Sequence, residues 1–216
     1  MKTTVEFMEG PAGALEVLVD APASAPRGLA VVTHPHPQQG GDATHKVPHL
    51  LARTLRDAGW LALRPNFRGV GGSAGQHDEG EGETEDVLAI CAMLRECHPG
   101  LPLLLAGFSF GAFVQAKAAH ALQQSSDPPW RCFLAGMPFG DVHAGRSYDT
   151  PRGLRETTVV HGELDERVAL AAIFEWARPD TQPVIVVPGA DHFFTGRLPA
   201  LRALLARQVS GLPRSS

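Results

Sequence analysis

LPLLLAGFSFGAF, the stretch from Leu101 to Phe113, joins a short apolar run to G-F-S-F-G and then to small and apolar residues at helical spacing. A strand almost without polar positions belongs where both faces of a sheet are covered, so the run is read as a central strand of a parallel sheet. Ser109 then stands at the strand's carboxyl end. A sharp strand-to-helix turn crowds the backbone, and Gly107 and Gly111 let strand and helix approach without colliding side chains. The turn lifts the Ser109 hydroxyl above the sheet edge.

The chain is rich in glycine, and Gly71-Gly72-Ser73-Ala74-Gly75 fits the same G-x-S-x-G pattern. Such a motif carries meaning only between a strand and a helix. Asn66 to Val70 before it is no buried strand, and Gln76 to Glu79 after it is no amphipathic helix. Context favours Ser109.

Outward from that turn, strands and helices alternate. Thr3 to Met8 and Ala14 to Asp20 read as two short strands, an antiparallel edge joined by the turn residues Glu9 to Gly13. A Pro-rich link from Ala21 to Arg27 leads to the apolar strand Leu29 to Thr33, and a helical period runs from about Ala43 to Ala58, closed by Gly59. Trp60 to Leu63 is the next strand. A long polar loop ends in an acidic cluster from Asp78 to Asp86, with Thr84 expected to cap a helix running to about Cys97. Strands at Cys132 to Ala135, Thr157 to Val160 and Val184 to Val187 follow, with helices near Val168 to Ala177 and Leu198 to Val209. This alternation implies βαβ units and an α/β fold: a mostly parallel central sheet flanked by helices. The 216 residues suit one such domain, read here as residues 1–210 with a frayed tail at 211–216.

The Gly107 to Gly111 turn resembles the nucleophile elbow of the α/β-hydrolases. In that fold a base and an orienting acid follow the serine in the order Ser, Asp or Glu, His, each in a loop at a strand's carboxyl end. Two loops stand in that order. After Thr157 to Val160 comes H-G-E-L-D-E-R-V, in which Asp165 resembles the family acid of H-G-x-x-D-x-x-V, with Glu163 and Glu166 as alternatives. After Val184 to Val187 comes P-G-A-D-H-F-F, in which His192 resembles the family base of G-x-D-H-x-F. Asp191 is too close to His192 to orient it and is expected to hold the loop. His161 precedes the acid and is read as structural.

Stabilising an oxyanion takes two backbone N–H donors. The resemblance assigns the first to Phe110. The second belongs to the loop after the third strand, where many family members carry H-G-x and this chain has His34-Pro35-His36-Pro37-Gln38; the prolines lack an N–H, leaving His36 first and Gln38 second. Four motifs together, H-P at His34 to Pro37, N-F-R-G-V-G-x-S-x-G at Asn66 to Gly75, D-x-G-x-G-E-x-x-D at Asp78 to Asp86, and G-F-S-F-G, resemble the compact, lidless serine hydrolases of this superfamily. The resemblance implies an esterase-like serine hydrolase with a small-molecule ester as its partner. Only about twenty residues separate Ala135 from Thr157, too few for a helical cap over the serine. Phe108, Phe110, Met137, Phe139, Phe193 and Phe194 are expected to give a shallow apolar surface for short or medium acyl groups.

Other readings carry less weight. His34, His36, His45 and His49 include an H-x-H, but prolines interrupt it and no Cys or carboxylate cluster follows, so no metal is expected. Gly69 to Ala74 fits a dinucleotide fingerprint but opens a polar stretch rather than a helix, and no cofactor is expected. Nineteen Lys and Arg against 23 Asp and Glu, a net charge of −4, leave no basic footprint for nucleic acid. Apolar runs are far too short for a membrane span, Met1 to Glu6 lacks the apolar core of a secretory signal, and three sparse cysteines suit a reducing cytoplasm. Nothing in the sequence specifies an oligomeric state. A peptidase or amidase would use the same triad, and a non-catalytic binding module would not use it at all.

Overall fold

The computed structural model describes residues 3–143 and 145–211, so the tail expected from residue 211 lies, apart from Gly211, outside the described residues. Ten strands are seen among them: β1 (Thr4–Gly10), β2 (Gly13–Asp20), β3 (Leu29–Thr33), β4 (Leu61–Pro65), β5 (Leu103–Phe108), β6 (Arg131–Ala135), β7 (Gly140–Val142), β8 (Arg146–Tyr148), β9 (Thr157–Gly162) and β10 (Val184–Val187). The helices are α1 (Lys46–Asp57), α2 (Glu81–Cys97), α3 (Phe110–Leu122), α4 (Leu170–Ala177) and α5 (Leu198–Ser210). Eight strands form one sheet in the order β1-β2-β4-β3-β5-β6-β9-β10. The β1–β2 hairpin is an antiparallel edge that pairs antiparallel with β4, and the pairings from β4 to β10 are parallel.

The apolar runs of β3 and β5 follow from burial on both faces. Leu29, Val31, Leu103 and Leu105 pack with residues of α2, α3 and α4, whereas Ala30, Val32, Leu104, Ala106 and Phe108 pack with α1 and α5. Alternate side chains thus enter opposite cores, and the polar side chain of the pair, Thr33, spends its hydroxyl on the Gly111 and Ala106 carbonyls. The chain leaves β3 toward β4 on one side and returns to β5 on the other, so the loops after β3 and β5 diverge at the carboxyl edge of the sheet. Such a divergence forms a natural crevice. None of the described helices is long and apolar enough to cross a membrane.

Three local expectations need correction. Thr84 does not cap α2, which begins at Glu81 after Gly80 at φ 101°. The buried Glu83 carboxylate accepts the N–H groups of Gly80 (2.9 Å) and Asp78 (3.0 Å), and the Thr84 hydroxyl donates back to Gly80 O (2.6 Å). Asp78 Oδ2 accepts the Gly82 N–H (3.0 Å), the helix amide that a cap would have held, while Glu83 reaches back to the N–H groups ahead of the helix. Helix α1 starts at Lys46 rather than Ala43, because Pro37–Gln39 forms a 3-10 turn and Asp42 accepts the Thr44 N–H and hydroxyl in a local turn. Between β6 and β9 lies the short antiparallel hairpin β7–β8, whose three-residue strands carry no periodicity in the sequence.

Candidate active site

Ser109 occupies the turn from β5 to α3 with φ 56° and ψ −125°, a backbone state that is costly for a residue with a side chain. The surroundings hold it there. Its N–H donates to Ala135 O of the neighbouring strand (2.9 Å), and its carbonyl accepts from Ala112 N–H (2.8 Å). Gly107 and Gly111 are needed for space: a Cβ at Gly107 would lie 2.5 Å from Gly111 O, and one at Gly111 would lie 2.5 Å from His34 O. The Thr33 hydroxyl donates to Gly111 O (2.8 Å), tying the elbow to the end of β3.

The loops after β9 and β10 bring Asp165 and His192 to this turn. His192 Nε2 is 2.9 Å from Ser109 Oγ, and His192 Nδ1 is 2.7 Å from Asp165 Oδ2. The other Asp165 oxygen accepts the N–H groups of Arg167 and Val168, both at 2.9 Å, so the buried carboxylate is oriented and its charge balanced by hydrogen bonds. An ionised Asp165 accepts only, which assigns the imidazole proton to Nδ1 and leaves the Nε2 lone pair facing the serine hydroxyl. Phe108 and Phe193 flank the imidazole with ring centroids 5.2 Å away.

Rivals fall elsewhere. His161 is fully buried beneath Asp165, with Nε2 2.9 Å from Val168 O and 3.4 Å from Asp165 Oδ2. Burial holds its pKa below the usual value, so it serves as a neutral support. Glu163 accepts the Gly189 N–H at the surface, and Asp191 accepts the Thr195 N–H. Ser73 donates to Asn66 O (2.8 Å) and accepts from Glu16 N–H (2.9 Å).

Phe110 N–H opens α3 and has no intrahelical acceptor, and His36 N–H likewise has no acceptor among the described residues. His36 lines the cleft over Ser109, whereas Gln38 lines only a neighbouring recess with His77 and Phe110. His34 is buried, its Nδ1 paired with Pro35 O (2.7 Å) and its Nε2 accepting the Phe67 N–H (3.0 Å). That lone pair is therefore committed to an amide, and no cluster of metal-ligating side chains exists among the described residues. The acidic run proves architectural. Asp86 pairs through both oxygens with Arg68 at 2.8 Å, Gly82 leaves room for that guanidinium, and Glu83 holds His77 (2.7 Å), whose ring packs on His36 and Phe110.

The apolar substrate surface is corrected. Phe108 and Met137 are completely buried core residues, and Phe194 is equally inaccessible. Phe139 packs against the core beneath Arg152. Of the proposed contacts only Phe193 lines the cleft, a space of about 320 Å³ bounded also by Pro35, Gln39, His45, His143 and Arg167. Beside it a second recess reaches Ser109 and His192 between Arg146, Tyr148 and Arg167. Arg146, Arg167 and His143 were missed because hydropathy patterns locate cores, and only the proximity of Arg167 to Asp165 in one loop could have marked it.

A family model described as serine aminopeptidase, S33, matches residues 26–142, more than half of the chain. An α/β serine hydrolase without lid from Xanthomonas campestris is 34% identical, with 100% of this chain and 98% of that one covered and a TM-score of 0.84. An α-β serine hydrolase homologue from Coxiella burnetii is also 34% identical, over 96% and 97% of the two chains, with a TM-score of 0.82. An uncharacterized protein of Rickettsia prowazekii is 39% identical over 109 residues, so the match spans half of this chain and 46% of that curated relative. With a core match and two full-length likenesses of the same kind, the chain belongs to the α/β serine hydrolase family.

Proposed function

We propose that the protein hydrolyses carboxylic esters of short or medium acyl groups, with Ser109, His192 and Asp165 as its catalytic triad. The observation that carries this reading is the unbroken chain of hydrogen bonds from Ser109 Oγ through His192 to Asp165, at 2.9 and 2.7 Å. His192 Nε2 takes the hydroxyl proton as Ser109 Oγ attacks the ester carbonyl, and Asp165 stabilises the imidazolium that forms. The oxyanion is held by the N–H groups of Phe110 and His36, each such donor being worth about 10²–10³ in rate. His192 then protonates the departing alcohol, leaving an acyl-serine. Water deprotonated by the same imidazole attacks the acyl carbon, the carbon–Oγ bond breaks, and the proton returns to Ser109.

The match to a serine aminopeptidase family raises amide cleavage as a second reading. Binding a free α-ammonium takes a carboxylate in the cleft, and the residues lining both recesses include arginines and histidines but no Asp or Glu. Esters therefore fit better. Initial rates on 4-nitrophenyl esters of two to eight acyl carbons, beside amino-acid 4-nitroanilides, test the reading. Ester turnover that favours the shorter chains and disappears in Ser109→Ala supports it. A variant that keeps wild-type esterase activity, or faster release from the anilides, contradicts it.

A further inference from the structure

Most arginine–carboxylate pairs of this chain stand away from the cleft. Arg64 pairs with Asp20 and Arg68 with Asp86, both buried and both at 2.8 Å, and Arg56 and Arg95 pair with Asp57 and Asp127 at the surface. Beside the nucleophile the arrangement differs. Arg146, at the start of β8, and Arg167, two residues after Asp165, line one recess with Ser109 and His192, and neither has a carboxylate within ion-pair distance among the described residues. Arg146 Nε is buried with no hydrogen-bond partner, and its guanidinium has only a long contact with His143 O (3.5 Å). Arg167 lies over the Phe193 ring (4.9 Å) and donates to Gln39 Oε1 (3.3 Å), a neutral acceptor.

The two groups are placed together by backbone. His143 N–H donates to Arg167 O (3.1 Å), tying the β7–β8 hairpin to the loop that carries Asp165. Lys46 stands nearby as a third cation, 5.4 Å from the Phe193 ring. In a chain with an excess of acidic residues, this is a local positive field around the serine. Its effect already registers on His36, whose pKa is pushed down to about 4 by burial and by the charge of Arg146. A buried guanidinium nitrogen without an acceptor is costly, and a planar carboxylate is the partner that a guanidinium fork matches.

We infer that the ester hydrolysed at Ser109 carries a second, anionic group, a carboxylate, which Arg146 and Arg167 hold beside the nucleophile. The inference rests on the serine-esterase reading above and names its substrate class. It also gives the hairpin a function: β7–β8 delivers one of the two anchors.

The test compares matched esters with the whole 216-residue chain. 4-Nitrophenyl hemiadipate against 4-nitrophenyl hexanoate places the carboxylate on the acyl side, and 3-butyryloxybenzoate against its methyl ester places it on the alcohol side. In at least one pair kcat/KM for the charged ester is expected to exceed that for the neutral one by about tenfold at low ionic strength, and to fall toward parity in about 0.5 M salt as screening sets in. The charged-to-neutral ratio should drop about tenfold in Arg146→Met and in Arg167→Met, and fall below one in Arg146→Glu. Should a variant fail to fold, the salt dependence of the wild-type ratio decides. Equal rates within both pairs, or a preference that survives both Arg→Met changes, overturn the inference while leaving the esterase reading intact. A folded protein that hydrolyses none of the four removes both.

Discussion

The chain contains the pentapeptide pattern G-x-S-x-G twice, and the two copies came to opposite ends. At Ser73 the hydroxyl is buried, donates to Asn66 O and accepts from Glu16 N–H, so both of its hydrogen-bonding capacities are spent on the fold. At Ser109 the hydroxyl meets His192 Nε2 at 2.9 Å. The glycines differ as well. Gly71 and Gly75 adopt φ 56° and 82°, conformations that a side chain resists, whereas Gly107 and Gly111 are not in that region and are required because backbone lies 2.5 Å from where a Cβ would be. The strand and helix that hold the pattern bring the hydroxyl to an imidazole, and the pattern alone builds only a turn.

The contrast breaks most sharply by mutation of the two serines. Ser109→Ala should lower ester turnover by about 10⁴–10⁶ with the melting temperature unchanged, since a triad acts as a unit. Ser73→Ala should keep the Ser109 chemistry and lose about 1–3 kcal/mol of stability, because two buried partners are left unsatisfied. Steady-state kinetics and chemical denaturation of both variants check the pair of outcomes, and a Ser73→Ala that abolishes activity in a fully stable protein would reverse the assignment. Next in size, Asp165→Asn should reduce kcat by about 10⁴ by favouring the wrong imidazole tautomer. A pH–rate profile measured beside the wild type reads that effect.

The glycines come next. Gly111→Ala forces a new methyl group against the His34 carbonyl and should cost about 3 kcal/mol or more together with activity, whereas Gly75→Ala, strained in φ and 2.9 Å from the Ala12 Cβ but far from the catalytic residues, should cost about 1–3 kcal/mol with turnover retained. Urea titrations followed by activity assays separate the two. The last effect concerns His34, whose carbonyl packs on Gly111 and whose Nε2 accepts from Phe67 in the segment leading to Ser73, so that it joins the two turns. Burial pushes its pKa down to about 4 from 6.5. The unfolded chain then binds more protons between those values. Stability is complete above about pH 6.5 and falls as pH drops to about 4, by at most about 3 kcal/mol from this residue. Unfolding free energies measured at pH 7.5 and 4.5 should show the loss, and His34→Gln should shrink it; a flat profile would mean that His34 titrates normally in the fold.

The sequence made the sheet legible because strands buried on both faces have little room for polar residues, as Leu103 to Phe108 and Leu29 to Val32 illustrate. Ser109, Asp165 and His192 could be named because each follows an apolar strand, in the order the family resemblance requires. What stayed hidden depended on tertiary contacts. Glu83 reads as an exposed first-turn acid until Gly80 and His77 turn toward it, and strands of three residues, β7 and β8, carry no periodicity to detect. Phe108 and Met137 could as well have lined a pocket as filled a core, since apolar character does not tell which side of a strand meets solvent. Arg146 and Arg167 look like ordinary surface charges, and only the absence of carboxylate partners around them among the described residues sets them apart.

The chemistry proposed for this cleft depends on the reactivity of one hydroxyl. Treating the folded protein with a fluorophosphonate and mapping the adduct by peptide mass spectrometry tests it most directly. One label per chain on Ser109, absent from Ser109→Ala and much slowed in His192→Ala, is the predicted result. A folded protein that takes up no label, or that carries it on Ser73 or another residue, would contradict it.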